Sequence, residues 1–152
     1  MGVEIERKFL VDAALLPPLP SPTHLQQGYL ASDPAVRVRL SSLPSGERQG
    51  ALTIKGRGLI ERREFEYPIP PGDAAQLLTL CKTSLSKNRY RLGRWEVDLF
   101  DGSGLWLAEI ELSRADEPFD RPAWLREEVS GDPRYQNVNL AAGSAPGGAE
   151  QA

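Results

Sequence analysis

Polar and apolar side chains alternate along most of the chain. From Val3 to Val11, Glu4, Glu6 and Lys8 fall on one face and Val3, Ile5, Phe9 and Val11 on the other, the period-two pattern of a half-buried strand. The pattern recurs at Leu25 to Ala31 with Gln27 and Tyr29, at Val36 to Leu40 with Arg37 and Arg39, and at Leu52 to Arg57 with Thr53, Lys55 and Arg57. Glu64 and Glu66 oppose Phe65 and Tyr67, and Lys87, Arg89 and Arg91 oppose Tyr90 and Leu92. Glu96 and Asp98 then oppose Trp95, Val97 and Leu99, and Glu109 and Glu111 oppose Ala108, Ile110 and Leu112. Eight strands are expected, joined by short polar connections such as Ser32-Asp33-Pro34 and Asp101 to Gly104, as antiparallel neighbours require.

Helical signals are sparse. Asp12 is placed to cap a short turn ending before Pro17, Gly72-Asp73 precedes an apolar stretch over Ala74 to Lys82, and Asp120 with Pro122 opens a helix expected over Ala123 to Glu128. Residues 1–142 read as one domain and Gly143 to Ala152, small and polar, as a disordered tail.

Composition narrows the chemistry. With 152 residues, 40% hydrophobic and 26% charged, the chain is that of a globular domain. No apolar run nears the roughly 18 residues of a membrane span, and the charged N-terminus lacks a secretory h-region, so a cytoplasmic protein without membrane contact is expected. One cysteine, Cys81, excludes an internal disulfide, and one histidine, His24, leaves little for a zinc site or a Ser/His/Asp triad. A net charge of -3 argues against a nucleic-acid binder of bulk basicity.

The charges are sorted by strand. Eight bases (Lys8, Arg37, Arg39, Lys55, Arg57, Lys87, Arg89, Arg91) and eight acids (Glu4, Glu6, Glu64, Glu66, Glu96, Asp98, Glu109, Glu111) lie on the polar faces. Such faces are commonly the solvent side of a sheet. Eight short-looped strands, however, suffice to close a barrel, which turns one face of each strand inward. Unpaired charges there would cost several kcal/mol each, so the interior must be wet, internally paired or filled by ions. Carboxylates at i and i+2, about 7 Å apart along a strand, reach one ion or two neighbouring ones, and Glu4-x-Glu6 and Glu109-x-Glu111 both offer this. Oxygen ligands select a hard cation such as Mg²⁺ or Mn²⁺. Arg37-x-Arg39 and Lys87-x-Arg89 supply the forks and point charges that a phosphate chain needs.

The opening Glu4-Ile5-Glu6-Arg7-Lys8 resembles the ExExK signature of the CYTH superfamily, the triphosphate tunnel metalloenzymes, in their small single-domain bacterial form. The resemblance runs to about residue 141 through Gln27-Gly28-Tyr29-Leu30, Arg37-x-Arg39, Leu52-Thr53-Ile54-Lys55-Gly56, Arg62-x-Glu64-x-Glu66, Lys87-x-Arg89-Tyr90, Trp95-Glu96-Val97-Asp98, Ala108-Glu109-Ile110-Glu111-Leu112 and Val129 to Tyr135. It implies a mainly β fold: a closed eight-stranded antiparallel barrel with a few short helices outside. It further implies Glu4, Glu6, Glu109 and Glu111 as holders of Mg²⁺ or Mn²⁺, and Lys8, Arg37, Arg39, Lys55, Lys87 and Arg89 as ligands of a small-molecule triphosphate. Tyr29 matches a position linked to tripolyphosphate hydrolysis, and Tyr29 with Lys87 is one choice of general base, beside a metal-held hydroxide or a lumen glutamate.

The leading expectation is a metal-dependent triphosphatase, monomeric or homodimeric, that cleaves inorganic tripolyphosphate to pyrophosphate and phosphate. A class IV-type adenylate cyclase or a nucleoside or thiamine triphosphatase is the alternative within the fold, and a polyphosphate-binding module without chemistry the alternative outside it. His24 reads as a surface loop residue, Cys81 as core within the helix, and Trp95, Trp106 and Trp124 as packing.

Overall fold

The computed structural model describes residues 2–141. Nine strands form, β1 (Gly2–Val11), β2 (Thr23–Ser32), β3 (Ala35–Ser42), β4 (Arg48–Lys55), β5 (Glu61–Ile69), β6 (Thr83–Leu92), β7 (Trp95–Phe100), β8 (Trp106–Glu111) and β9 (Leu125–Glu128), with helices α1 (Pro71–Leu78) and α2 (Asn137–Ala141). Eight of the strands close antiparallel in the order β5-β4-β3-β2-β6-β7-β8-β1, the ring being sealed where β1 meets β5. The expected eight-stranded barrel is therefore present, and the first strand lies beside the last of the charged ones, with Glu6 opposite Glu111 and Lys8 opposite Glu109.

The ninth strand corrects the helix expected over Ala123 to Glu128. β5 pairs with β1 only from Gly2 to Ile5, which leaves the rest of that edge open. Glu6 N–H still reaches Ile60 O at 3.0 Å, but two residues on, Lys8 O accepts from Val129 N–H at 2.8 Å. The segment is thus recruited to an edge whose backbone groups need partners. Pro122 makes only a turn, accepting from Leu125 N–H.

Three further expectations shift. The helix expected at Ala74 to Lys82 runs Pro71–Leu78, with Pro71 in its first turn, so Cys81 lies beyond it and donates its thiol to Leu77 O. His24 sits in β2, its Nδ1 2.9 Å from Asn88 Oδ1. Arg57 leaves the lumen face: β4 stops at Lys55, and Gly58 (φ +128) turns the chain so tightly that a Cβ there would come 2.2 Å from Glu61 O. Alternation ends with the strand, and Arg57, 86% exposed, pairs with Asp33 outside. The tail from Gly143 to Ala152, and with it the domain boundary at 142, falls outside the described residues.

Apolar packing occupies both sides of the wall. Outside, Phe9, Trp95, Val97, Ile110 and Trp124 cluster, with Trp95 edge-on to Phe9 and to Trp124 at centroid distances of 5.7 and 5.5 Å. Also outside, α1 sets Ala74 on Val38 and Leu40, while Trp106 stacks on Tyr90. Inside, at the end where β7 turns into β8, Phe100, Leu105 and Leu107 pack against Tyr135 and Leu140 of the C-terminal segment. That end of the barrel is filled on one side, and the charges occupy what remains.

Candidate active site

A cavity of about 390 Å³ lies within the barrel, walled by Glu4, Glu6, Arg37, Arg39, Lys55, Arg89, Glu109 and Glu111 among others. Eight of the eleven residues expected at the site thus face one space. The other three, Lys8, Tyr29 and Lys87, are buried around its inner end. Lys8 Nζ donates to Tyr135 O at 2.7 Å and lies 3.9 Å from Glu109. Lys87, 0% exposed, pairs with Asp98 at 2.7 Å and donates to Asn137 Oδ1 at 3.1 Å. Tyr29 accepts from Gln27 Nε2 at 3.4 Å and, with Arg37, Lys55, Arg62 and Asn137, lines a narrow passage of about 20 Å³.

One arginine pair and one glutamate pair stand across the ring from one another, while Lys8, Lys55 and Arg89 are ion-paired with lumen acids. β3 carries Arg37 and Arg39, and four strands away β8 carries Glu109 and Glu111, flanked by β1 and β7. Carboxylate oxygens of Glu6, Glu96 and Glu109 lie within 4.8 Å of each other. Burial, then Glu109 and Glu4, push the Glu6 carboxyl well above the usual carboxylate range. Burial works the same way on Glu109, but Lys8, a hydrogen bond with Glu6, Lys87 and Arg89 outweigh it, and Glu109 is held well below that range. Converging carboxyls, one pushed up and its neighbour held down, mark a place short of positive charge. A donor set made wholly of carboxylate oxygen fits a hard divalent cation. Glu4 is engaged instead by Lys55 at 3.0 Å and Arg62 at 3.6 Å, which, against burial, lower its pKa. Glu111 sits at the exposed mouth.

The cationic wall shows the opposite deficit. Arg37 is 6% exposed and its Nε is buried with no hydrogen-bond partner among the described residues. Its Nη2 donates to Thr53 Oγ1 at 3.2 Å. Arg39 donates twice to Gln27 Oε1, and burial with the neighbouring Arg37 and Arg89 pushes its guanidinium down to about 9. Lys87 is pushed down to about 7, chiefly by burial, with Asp98 opposing the shift and Arg89 adding to it. Arg89, bidentate to Asp98 at 2.8 Å on both oxygens, is fully paired. Crowded, desolvated cations with an idle donor favour an anion of several charges.

Sequence reasoning left out several wall residues. Glu96 had no individual role, although the register Glu96↔Glu109 carries it into the carboxylate cluster. Arg62 and Arg94 also face the cavities, Arg94 bridging Glu111 O and Glu117. Asn137 lies just beyond the closing Val129-to-Tyr135 stretch, the one sequence signal that pointed towards it. A wider vestibule of about 530 Å³ shares Arg39 and Glu66 with the tunnel and adds Arg48, Gln49, Pro68 and Ile69.

Comparison with known proteins agrees with this architecture. The CYTH domain model matches residues 2–145. An inorganic triphosphatase of Acetivibrio thermocellus is 42% identical over 151 residues, covering 92% of this chain and 94% of that protein. One from Nitrosomonas europaea is 35% identical over 156 residues, covering 91% and 96%. A crystal structure of an inorganic triphosphatase superposes with a TM-score of 0.60 at 32% identity, covering 91% of this chain and 93% of the other. With its match spanning nearly the whole sequence, the chain belongs to the CYTH domain family.

Proposed function

We propose that the protein is a metal-dependent triphosphatase that hydrolyses inorganic tripolyphosphate to pyrophosphate and phosphate. The observation that carries this reading is the pairing of opposite deficits in one cavity: Arg37, whose buried Nε has no hydrogen-bond partner among the described residues, and crowded Arg39 on β3, across the ring from the converging carboxylates of Glu6, Glu96 and Glu109. A triphosphate with a divalent cation answers both, and a metal-free polyanion binder has no use for the carboxylates. The relatives named as inorganic triphosphatases favour the same substrate.

In this reading Glu6, Glu96 and Glu109, with Glu4 and Glu111 on the same wall, would hold Mg²⁺ or Mn²⁺, which when bound neutralises phosphoryl oxygens and lowers the pKa of water. Arg37 and Arg39 bind the phosphate chain through guanidinium N–H groups, Arg89, its fork held by Asp98, adds its charge beside them, and Lys55 binds it by point charge. They stabilise charge on the transferring phosphoryl and on the departing pyrophosphate. Water adds to a terminal phosphorus, the bridging P–O bond breaks, and the proton lost by water is taken up within the tunnel. To that transfer we assign Lys87, pushed down to about 7, and the Tyr29 hydroxyl, which faces the narrow passage.

The vestibule beside Arg39, with its Pro68 and Ile69 wall, has room for the organic group of a triphosphate ester and makes nucleoside triphosphates the second reading. The deciding experiment supplies tripolyphosphate, ATP and thiamine triphosphate, each with and without Mg²⁺ or Mn²⁺, and measures phosphate and cyclic AMP. Metal-dependent phosphate release, fastest from tripolyphosphate and abolished by Arg39→Ala, is expected. Cyclic AMP from ATP would overturn it, and inactivity towards all three points to a binding module.

A further inference from the structure

Lys87 is held by groups of two different origins. From the barrel, Asp98 approaches its Nζ to 2.7 Å and the Phe100 ring centroid lies 4.9 Å away. Asp98 is not dedicated to Lys87, because Arg89 already bonds both of its carboxylate oxygens. The remaining acceptor, Asn137 Oδ1 at 3.1 Å, comes from the C-terminal segment.

That segment is itself firmly seated. Asp132 accepts from Arg134 N–H to cap the turn Pro133–Tyr135, and the Tyr135 ring and Leu140 are buried against Phe100, Leu105 and Leu107. Tyr135 O accepts from Lys8 Nζ, and Gln136 Nε2 donates to Gly58 O at 3.4 Å. One short stretch therefore touches both inner lysines. Asn137 also lines the main cavity and the narrow passage that Tyr29 faces, so it joins the buried Lys87 to the space beside Tyr29.

We infer that Asn137 is a positioning residue: its side-chain oxygen fixes the direction of the Lys87 ammonium at the inner end of the tunnel, making the C-terminal segment part of the working wall. An ammonium has three donors, and a shared carboxylate beside a ring face leaves it free to swing. A neutral acceptor fixes its direction without adding a second negative charge that would oppose a polyanion. The kinetic consequence rests on the triphosphatase reading; the placement of Lys87 does not.

Two measurements keep these apart. The first is the ¹⁵Nζ resonance of Lys87, assigned by its loss in Lys87→Met. It is recorded at about pH 5.5, where the charged form dominates because Lys87 is pushed down only to about 7. It is expected to be sharp and slowly exchanging in the unmodified protein and in Asn137→Asp, which keeps an acceptor, and lost in Asn137→Ala. The second is steady-state hydrolysis of tripolyphosphate. Asn137→Ala is expected to lower kcat by about ten- to a hundredfold with KM changed less than about twofold, and Asn137→Asp to recover most of kcat at saturating substrate while raising KM, because its added charge opposes the polyanion. If Asn137→Ala does not fold, Asn137→Ser, whose hydroxyl is too short to reach Nζ, takes its place in both measurements. A Lys87 signal unchanged in the alanine or serine variant overturns the inference, as do wild-type kcat in that variant and an aspartate variant whose kcat is no better. No hydrolysis by the unmodified protein sinks the functional reading, and the ¹⁵N signal still decides the placement.

Discussion

Glu6→Gln sets stability and activity against each other. Carboxylate oxygens of Glu6, Glu96 and Glu109 lie within 4.8 Å, and two full charges at that separation repel by about 3.5 kcal/mol at an effective dielectric of about 20. The protein relieves part of this by keeping the Glu6 carboxyl protonated to higher pH, through burial and the charge of Glu109. The gain on removing the charge is therefore smaller, about 1–2 kcal/mol near neutrality, and raises the melting temperature of the metal-free protein by about 2–8 °C at this size. The pH dependence has a definite sign. Below the ordinary carboxylate pKa, Glu6 is neutral both folded and unfolded, and the substitution gains nothing. As pH rises through the elevated folded value, native Glu6 must ionise beside Glu109 and its stability contribution is lost, so the advantage of glutamine grows. Turnover moves the other way: an amide supplies one oxygen and no charge to a cation, and phosphate release should fall by at least about a hundredfold. The assay is thermal unfolding in chelator from about pH 5 to 8, paired with phosphate release from tripolyphosphate in saturating metal. A variant that melts below the wild type at the alkaline end, or that keeps full turnover, refutes the reasoning.

Arg37→Met removes the guanidinium whose Nε has no partner. Tripolyphosphate at a hundred times its Kd should stabilise the wild type by about 2.7 kcal/mol, and calorimetric titration should show this variant binding at least about tenfold more weakly. Phe9→Ala empties a fully buried site between Trp95 and Phe119 and should cost about 3–5 kcal/mol by denaturant unfolding. Gly28→Ala should cost about 1–3 kcal/mol by the same measurement, because the new Cβ would lie 2.7 Å from Cys81 Cβ and 3.2 Å from Thr83 O.

How much of this could be read beforehand depended on whether a residue's position follows from its own strand. The barrel charges did, because a period of two assigns a face without knowledge of the partners: Arg37 and Arg39 point inward wherever β3 lies in the ring. Arg57 shows the limit of the rule, which failed where Gly56 and Gly58 end the pleat. β9 was misread because Pro122 carries a helix-start signal, whereas the demand for a strand came from an open edge of β1 more than 110 residues away in sequence. Glu96 and Asn137 depended on long-range relations of the same kind, a cross-strand register in one case and the seating of a terminal segment in the other.

The same distinction explains why the site needs its C-terminal segment at all. Strand geometry can put like charges on one wall, but a stave cannot shift a side chain along its own axis to adjust a neighbour. Arg89 and Lys87 share Asp98, so any change to that carboxylate disturbs a phosphate-facing arginine as well as the buried lysine. An acceptor brought in from outside the ring acts on Lys87 alone. Asn137→Ala and Asp98→Asn should therefore separate: the first alters kcat with little change in KM, and the second, which also loosens Arg89, raises KM as well. If both variants shifted the two constants in the same proportion, Lys87 and Arg89 would be one unit and the separate role of Asn137 would be gone.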